Sequence, residues 1–572
     1  MEQTKAILSR RGFLMGTGAV AAGAAFAWTP VFRVDRASAA TAAPPGFPAG
    51  IPLYQQAWRN WAGELAVDSI WTATPASPAD VVTIANWAHA NGWRVRAKGM
   101  GHGWSPLLVP PGAAADVLLV DTTATLTGIS VDAAAMRVTA GAGASMDALL
   151  ARMEQAGLGF TATPAPGDLT VGGVLAIDAH GTAVPARGET RPAGHTYGSL
   201  SNAIVRLTAV VWNGSAYALR TFERADPAIE PLLAHLGRAF VTEVTLQAGA
   251  NQRLRCQSWV NIPATEMFAA PGSAGRTLAS YLESAGRVEA IWFPFTANPW
   301  LKVWTVRPSK PLFSREVGQP YNYSFSDNIP PEASALIGQL ISGNGGLTPT
   351  FSQIQYAAVA TGLVATLTWD IWGWSKNTQL YVRPTTLRVT ANGYAVLCRR
   401  SDVQRAVHEF VGFYTSRLNA AAAAGRYPMN SPVEIRVTGL DHPADTGIAG
   451  ARTPVLSAVR PRPDHPEWDV AVWFDALTIP GTPGAAAFYR ELEQWVLGNY
   501  TGSYAAVRPE WSKGWAYTDS AAWADPGVIG STVPDAYRAG QPASSGWEAA
   551  KAGLTALDPH RVFGNAFLDG LI

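Results

Sequence analysis

The chain has 572 residues, 48% of them hydrophobic and 15% charged, enough apolar mass for a large core and for two or more structural units. Its 43 basic and 42 acidic residues nearly cancel, which sets aside a nucleic-acid binder. Two distant cysteines, Cys256 and Cys398, and nine dispersed histidines, without CxxC or HExxH spacing, argue against a structural zinc site or a disulfide framework. The cysteines read as buried thiols, with one disulfide between them as the alternative.

Ser9-Arg10-Arg11-Gly12-Phe13-Leu14-Met15 precedes an uncharged run, Gly12 to Phe32, and Ala37-Ser38-Ala39 offers a cleavage site. Paired arginines, a moderately apolar segment and a small-x-small end read as a twin-arginine signal over residues 1–40. It addresses the chain to the twin-arginine export machinery and a periplasmic or secreted location. A membrane anchor is the alternative, but Pro30 and the many small residues make the run weakly apolar for it.

Asp80 to Asn91 has helical spacing, with Val82, Ile84 and Trp87 as apolar points and Asn91-Gly92 as a stop. Trp93 to Ala97 alternates like a strand and runs into a Gly-rich turn, Gly99 to Gly103. Val117–Asp121 and Met136–Ala140 read as strands, and Ser145 caps a helix through Ala156 with Gly157 after it. Short strands and helices continue to Val244-Leu246, a mixture that predicts an α+β architecture. Gly141-Ala142-Gly143 tempts a dinucleotide-fold reading, but Met146 occupies the third glycine position and no suitable acid follows. After Gln252 the texture changes: Glu289 to Val306 reads as aromatic-rich strands and Asp402 to Gly425 as a helix. A domain boundary is therefore placed near residue 250. Most of the 22 Trp residues read as packing, with a minority left to line an apolar pocket.

Glycines between a strand and the next element let backbone N–H groups approach a ligand, and successive N–H groups form a concave anion site suited to a pyrophosphate. The stretch Arg96-Ala97-Lys98-Gly99-Met100-Gly101-His102-Gly103-Trp104-Ser105 has this form, although an ordinary surface turn is a comparable reading for it alone. Farther on, Ser431 to Val437 alternates, so Glu434 and Arg436 share one strand face while Val433, Ile435 and Val437 share the other. A solvated salt-bridge face is the ordinary reading. Glu289 shares parity with Ile291, Phe293 and Phe295, which predicts either an acid of raised pKa on an apolar wall or a water-exposed carboxylate.

Two further segments follow the first loop: Pro166-Gly167-Asp168-Leu169-Thr170-Val171-Gly172-Gly173-Val174 with Ala179-His180-Gly181-Thr182, and Leu236-Gly237-Arg238-Ala239-Phe240-Val241-Thr242-Glu243-Val244. In this order the three resemble the FAD domain of the vanillyl-alcohol-oxidase superfamily. The resemblance implies that Gly99, Met100, Gly101, His102, Gly103, Trp104 and Ser105 form the pyrophosphate loop. Gly167, Asp168, Thr170, Val171, Gly172 and Gly173 would form a second flavin-contacting loop, with His180 and Val241 also at the cofactor. His102 matches a histidine bonded to the flavin 8α-methyl carbon in many members. The second loop has no Cys, so a single tether is expected.

The stretches Glu289–Phe295, Asp370–Lys376, Pro432–Asp441, Arg460–Pro466, Pro509–Trp515 and Asp558–Phe563 resemble the covalent-flavin (type II) bacterial cholesterol oxidases over nearly the whole mature chain. That resemblance implies an FAD-binding domain over residues 45–250, a substrate domain with a large mixed or antiparallel sheet over 251–515, and a return to the first domain over 516–572. It implies oxidation of a sterol 3β-hydroxyl, isomerisation to the conjugated enone and reduction of O2 to hydrogen peroxide. Transient contact with a membrane surface to extract sterol is a further expectation. Glu289, Glu434, Arg436 and Lys513 match active-site positions. The resemblance implies Glu434 or Glu289 as proton acceptor, one on the hydroxyl and the other in isomerisation, Arg436 as stabiliser of the developing oxyanion or the reduced flavin, and Lys513 as favouring negative charge on the flavin N1/C2 oxygen edge. Asp475 stands where the family is expected to carry asparagine, and an ionised acid accepts but cannot donate a hydrogen bond. The competing readings are an oxidase of sugar alcohols or aldonolactones from the same superfamily and a non-catalytic secreted flavin binder. The aromatic-rich second half favours an apolar substrate, and the paired carboxylates with an arginine favour catalysis.

Overall fold

The computed structural model describes residues 43–572 apart from 113–114, 324–330 and 503, and for 331–335 the backbone alone. The signal sequence read over residues 1–40 lies outside the described residues. A four-stranded sheet comes first, built from β1 (Leu53–Arg59), β2 (Ala66–Ala73), β3 (Arg94–Lys98) and β4 (Val117–Asp121) in the order β1-β2-β4-β3. The helix Pro78–Asn91 starts where Ser77 and Asp80 form a capping box, and ends at Gly92 with φ 70°, a left-handed angle that glycine adopts without strain. It buries Val81, Ile84 and Trp87; Val82 is only half-buried. β3 pairs in parallel with β4 and delivers the chain into the glycine turn at residue 99.

A second sheet combines β5 (Ile129–Asp132), β6 (Arg137–Gly141), β8 (Ile204–Trp212), β9 (Tyr217–Glu223) and β10 (Phe240–Gln247) in the order β5-β6-β10-β8-β9, while the short β7 (Leu158–Gly159) pairs with β11 (Gly249–Ala250). The helix Met146–Gln155 is capped by the Ser145 side chain, as expected. Thr170–Gly173, expected as a loop, instead opens a short helix, Val171–Ala176, with Thr170 at its N-cap. Val171 and Val174 are buried on the inner face of that helix, and this tertiary burial overrides the glycine pair's poor helix propensity.

The second half is organised by a nine-stranded sheet. Its strands are β12 (Arg253–Trp259), β13 (Arg287–Trp292), β14 (Trp300–Val306), β15 (Arg315–Glu316), β16 (Asp370–Trp374), β17 (Thr390–Cys398), β18 (Val433–Gly439), β19 (Val470–Thr478) and β20 (Ala505–Pro509). They lie in the order β15-β16-β12-β14-β13-β18-β19-β17-β20, and every pair but β15–β16 is antiparallel. The helix Val403–Ala423 covers one face, with Phe410 stacked 4.1 Å from Phe474. Full burial of such a ring stabilises by roughly 1.5–3 kcal/mol. Cys256 in β12 and Cys398 in β17 are both buried and free.

The end of the chain packs against β3. Val95 N–H donates to the Val562 carbonyl at 2.7 Å. Asp558 accepts from Arg238, from the Tyr217 hydroxyl and from the N–H groups of Val562 and Phe563. The buried Arg96 guanidinium donates to the carbonyls of Leu107, Gly237 and Phe563, which clamps the base of the glycine turn.

Candidate active site

A left-handed glycine and contacts with Thr170 and residues 511–512 position the Gly99–Ser105 loop. Gly101 has φ 75°, which needs glycine. The N–H groups of Trp104 and Ser105 donate to the Ser512 carbonyl at 2.8 and 3.2 Å, and the Ser105 hydroxyl donates to the Trp511 carbonyl at 2.7 Å. Gly99 lies against Thr170 so closely that a Cβ would overlap the Thr170 hydroxyl oxygen. The N–H groups of Met100 to Gly103 enter none of the turn and loop hydrogen bonds among the described residues. They remain as donors on a glycine turn, the chemistry an FAD pyrophosphate requires. His102 stacks over Trp61 at 5.8 Å, and its Nε2 lies 2.9 Å from Asp168 Oδ2. Burial raises the Asp168 carboxyl, but the His102 contact outweighs it and holds the group below its ordinary range.

The opposite wall is a face of the nine-stranded sheet. Antiparallel register aligns Lys302 of β14 with Glu289 of β13, and Glu289 with Arg436 of β18. One pleat along, Glu434 aligns with Asp475 of β19, and Asp475 with Gly393 of β17. Arg436 is the hub. Its Nε donates to Glu289 at 2.7 Å, Nη1 to Asp475 at 2.7 Å and Nη2 to Glu434. The shared face of Glu434 and Arg436 is thus as expected, but it is not a solvated one: Glu289 is 1% exposed and Asp475 is fully buried.

Glu289 also accepts from the Tyr381 hydroxyl at 2.6 Å and faces Lys302 at 3.8 Å. Lys302 sits in an aromatic box, 2.8 Å from the Tyr381 ring centre and about 5 Å from Trp300, Trp304 and Tyr323, where its charge is held by ring quadrupoles. Burial pushes its pKa down to about 8 against the pull of Glu289. The raised pKa expected for Glu289 is therefore corrected. Burial acts upward, but Arg436, Lys302 and Tyr381 together hold the carboxyl below its ordinary value. Asp475 behaves oppositely, pushed up to about 8 by burial and by Glu510. Lys513 Nζ lies 3.6 Å from Asp475 and 3.9 Å from Glu510. Burial lowers its pKa, and these two carboxyls more than restore it.

The two walls enclose one cavity of about 400 Å³, within the range of small-molecule sites. It is lined by Gly99 to Ser105, Thr170, Gly173, His180, Glu289, Glu434, Arg436 and Lys513. Gly167 and Asp168 line a neighbouring cavity of about 360 Å³ instead, and Asp168 touches His102 from there. Val171 and Val241 belong to the apolar core, and Gly172 packs on Ala142, so these three do not form the wall of the larger cavity. Asp475 stands behind Arg436. Sequence reasoning passed over Tyr381, Lys302 and Glu510. A lysine alone in the apolar strand Trp300–Val306 was a usable signal for Lys302; Tyr381, in a connecting segment, offered none. Trp304, Val382, Leu387, Val389 and Leu477 give the substrate side an apolar lining.

A model of the FAD binding domain matches residues 71–220, and one of the cholesterol oxidase substrate-binding domain matches residues 253–572. A solved solvent-stable cholesterol oxidase is 62% identical, with TM-score 0.92 over 93% of this chain and 100% of its own. The cholesterol oxidase of Brevibacterium sterolicum is 48% identical, with TM-score 0.92 over 93% of this chain and 100% of its own. L-gulono-1,4-lactone dehydrogenase of Mycobacterium tuberculosis is 27% identical over 190 residues, 33% of this chain. The chain spans only 40% of the length of that curated relative.

An FAD-binding domain facing a substrate sheet with a buried acid and cation cluster defines an FAD-dependent alcohol oxidase. Within that class, the chain belongs to the cholesterol oxidases whose FAD domain is of the vanillyl-alcohol-oxidase type.

Proposed function

We propose that the protein oxidises the 3β-hydroxyl of a sterol and isomerises the product to the conjugated enone. The observation that carries this reading is that Glu434 and Arg436 open into the same cavity as the Gly99–Ser105 loop, beside an apolar wall. A site for sugar alcohols would need polar partners for several hydroxyls, and the likeness to the lactone dehydrogenase covers only 190 residues. FAD, held by the Gly99–Ser105 loop with Thr170 and Gly173, would supply hydride acceptance from C3 and electron delivery to O2 with formation of hydrogen peroxide.

The chain's own residues divide the remaining work. Glu289 is buried and tied to Arg436, Lys302 and Tyr381, whereas Glu434 is held, among the described residues, through Arg436 alone and its side chain is 21% exposed. Glu434 is therefore the acceptor of the hydroxyl proton; once that proton has left with the hydrogen peroxide, the regenerated carboxylate carries the proton from C4 to C6 in isomerisation. Arg436 and Lys513 hold positive charge where negative charge develops. Asp168 takes the Nε2–H of His102, which leaves Nδ1 as the nucleophilic nitrogen for a single covalent tether to the flavin. Leu312 and Phe313, 83% and 81% exposed, adjoin exposed Leu367 and Trp369 through the Ser314–Asp370 hydrogen bond, with Lys310 and Arg315 alongside. This edge supports transient contact with a sterol-bearing lipid surface. Export through the twin-arginine pathway to a periplasmic or secreted location completes the reading.

The test is a peroxide assay with cholesterol and xylitol side by side. Cholesterol turnover is expected, falling about 10²–10⁴-fold in Glu434→Gln; turnover of xylitol alone overturns the assignment. For the tether, acid-precipitated wild type should stay yellow and His102→Ala should release its flavin. A flavin-free wild-type pellet excludes the bond.

A further inference from the structure

The charged face carries one carboxyl more than it has cations. Arg436, Lys302 and Lys513 are opposed by four acids, Glu289, Glu434, Asp475 and Glu510. An ionised carboxylate left uncompensated in an interior is costly enough that such a group takes up a proton instead. The geometry says where the proton goes. Asp475 Oδ1 and Glu510 Oε2 are both buried, and neither receives a hydrogen bond among the described residues. The two side chains are within hydrogen-bonding reach of one another. Both oxygens lean over Gly393 in the middle of β17, where a Cβ would stand 2.6 Å from Oδ1 and 3.0 Å from Oε2. Only glycine leaves the two carboxyls room to meet.

The remaining oxygens are committed elsewhere. Asp475 Oδ2 accepts from Arg436 at 2.7 Å and lies 3.6 Å from Lys513. Glu510 Oε1 accepts from the Ser512 hydroxyl at 3.2 Å and lies 3.8 Å from His180 Nε2 and 3.9 Å from Lys513. His180 stacks on Trp473 and donates from Nδ1 to the Gly181 carbonyl.

We propose that Asp475 and Glu510 hold one proton between Oδ1 and Oε2, so that the pair carries a single negative charge and Asp475 acts as a neutral positioning residue behind Arg436. Three cations then face three anions. An asparagine at 475 would donate N–H to Glu510, and a protonated Asp475 donates O–H in the same direction. The acid thus does the work of the amide, but it titrates. When the proton leaves, Glu434 gains a second anionic neighbour behind Arg436. The groups facing the pair are Glu434 and Arg436 from β18, Lys513 from the turn after β20, His180 and Asp178 from the FAD half, and Tyr489 from the helix Ala485–Asn499. The catalytic consequence rests on the oxidase reading above, whereas the shared proton does not.

The experiment is infrared difference spectroscopy of the holoprotein at pH 7, wild type against Asp475→Asn and against Glu510→Gln. Each difference is expected to show the loss of one protonated-carboxyl band that shifts in D2O. Carboxylate bands alone, or a protonated band that survives Glu510→Gln, overturns the shared proton. The pH profile of kcat/KM supplies a second readout. Wild type should lose activity as pH rises past the value near 8 to which burial and Glu510 push Asp475; because burial brings Lys302 into the same range, Asp475→Asn should make that alkaline limb shallower rather than remove it. An unchanged limb in the variant overturns the positioning role. If wild type turns over no sterol, the functional reading fails while the infrared result stands.

Discussion

The two walls of the cavity are made in different ways. The FAD-side wall is backbone: a glycine turn at the end of β3, held by carbonyls of residues 511 and 512 and packed on Thr170. The sheet-side wall is charge: Arg436 bonded at once to Glu289, Glu434 and Asp475, each from a different strand or strand position. A backbone wall depends on a few local contacts and is damaged by added atoms. A charged wall depends on mutual compensation and is damaged by removing any one member, because the partners left behind are buried.

The sharpest way to break that contrast is Arg436→Met. It takes the guanidinium away from Glu289 and Asp475, which are 1% and 0% exposed and keep only Lys302, Tyr381 and Lys513 as cation or hydroxyl partners among the described residues, and the expected cost is about 3–5 kcal/mol. Thermal unfolding of the holoprotein reads this directly, and kcat should fall about 10²–10³-fold with it. A variant as stable as wild type would show that the carboxyls compensate without the hub, by protonation.

The contrast also explains what was legible beforehand. The glycine turn, His102 and the Glu434–Arg436 face were readable because each is a short contiguous pattern. The meeting of Glu289, Arg436, Lys302 and Asp475 was not, since it depends on the register of four strands separated by up to about 186 residues of chain (Glu289 to Asp475). For the same reason the pKa of Glu289 was misjudged: strand parity revealed its apolar neighbours along β13 and nothing of the cations across the sheet. The helix at Val171–Ala176 was missed because two glycines mask a local helical preference that only burial of Val171 and Val174 restores.

Tyr381→Phe probes the charged wall more gently. The hydroxyl donates to a carboxylate that is buried and anionic, so its loss should cost about 1.5–3 kcal/mol at neutral pH. The pH dependence has a definite sign. The folded pKa of Glu289 lies below its unfolded value, so its contribution is present above the ordinary glutamate range and is lost as pH falls through the folded value. Removing the Tyr381 donor moves the folded pKa back toward the unfolded one. The stability gap between variant and wild type should therefore be largest at neutral pH and narrow on acidification, as seen in unfolding midpoints across that range. A gap that is constant with pH would mean that Tyr381 contributes packing rather than charge stabilisation.

The smallest effect belongs to the backbone wall. Gly99→Ala places a methyl against the Thr170 side chain, an overpacking that should cost about 1–2 kcal/mol and lower the fraction of flavin retained on purification. Because the offended group is one side chain, Thr170→Ala in the same molecule should restore most of the loss, with a coupling energy of about 1 kcal/mol. No single second substitution should rescue Arg436→Met in this way, since three carboxyls lose one shared partner together. If Thr170→Ala fails to relieve Gly99→Ala, the turn is instead held by the N–H groups of Met100 to Gly103 against the cofactor, and its tolerance is set by the ligand rather than by the helix N-cap.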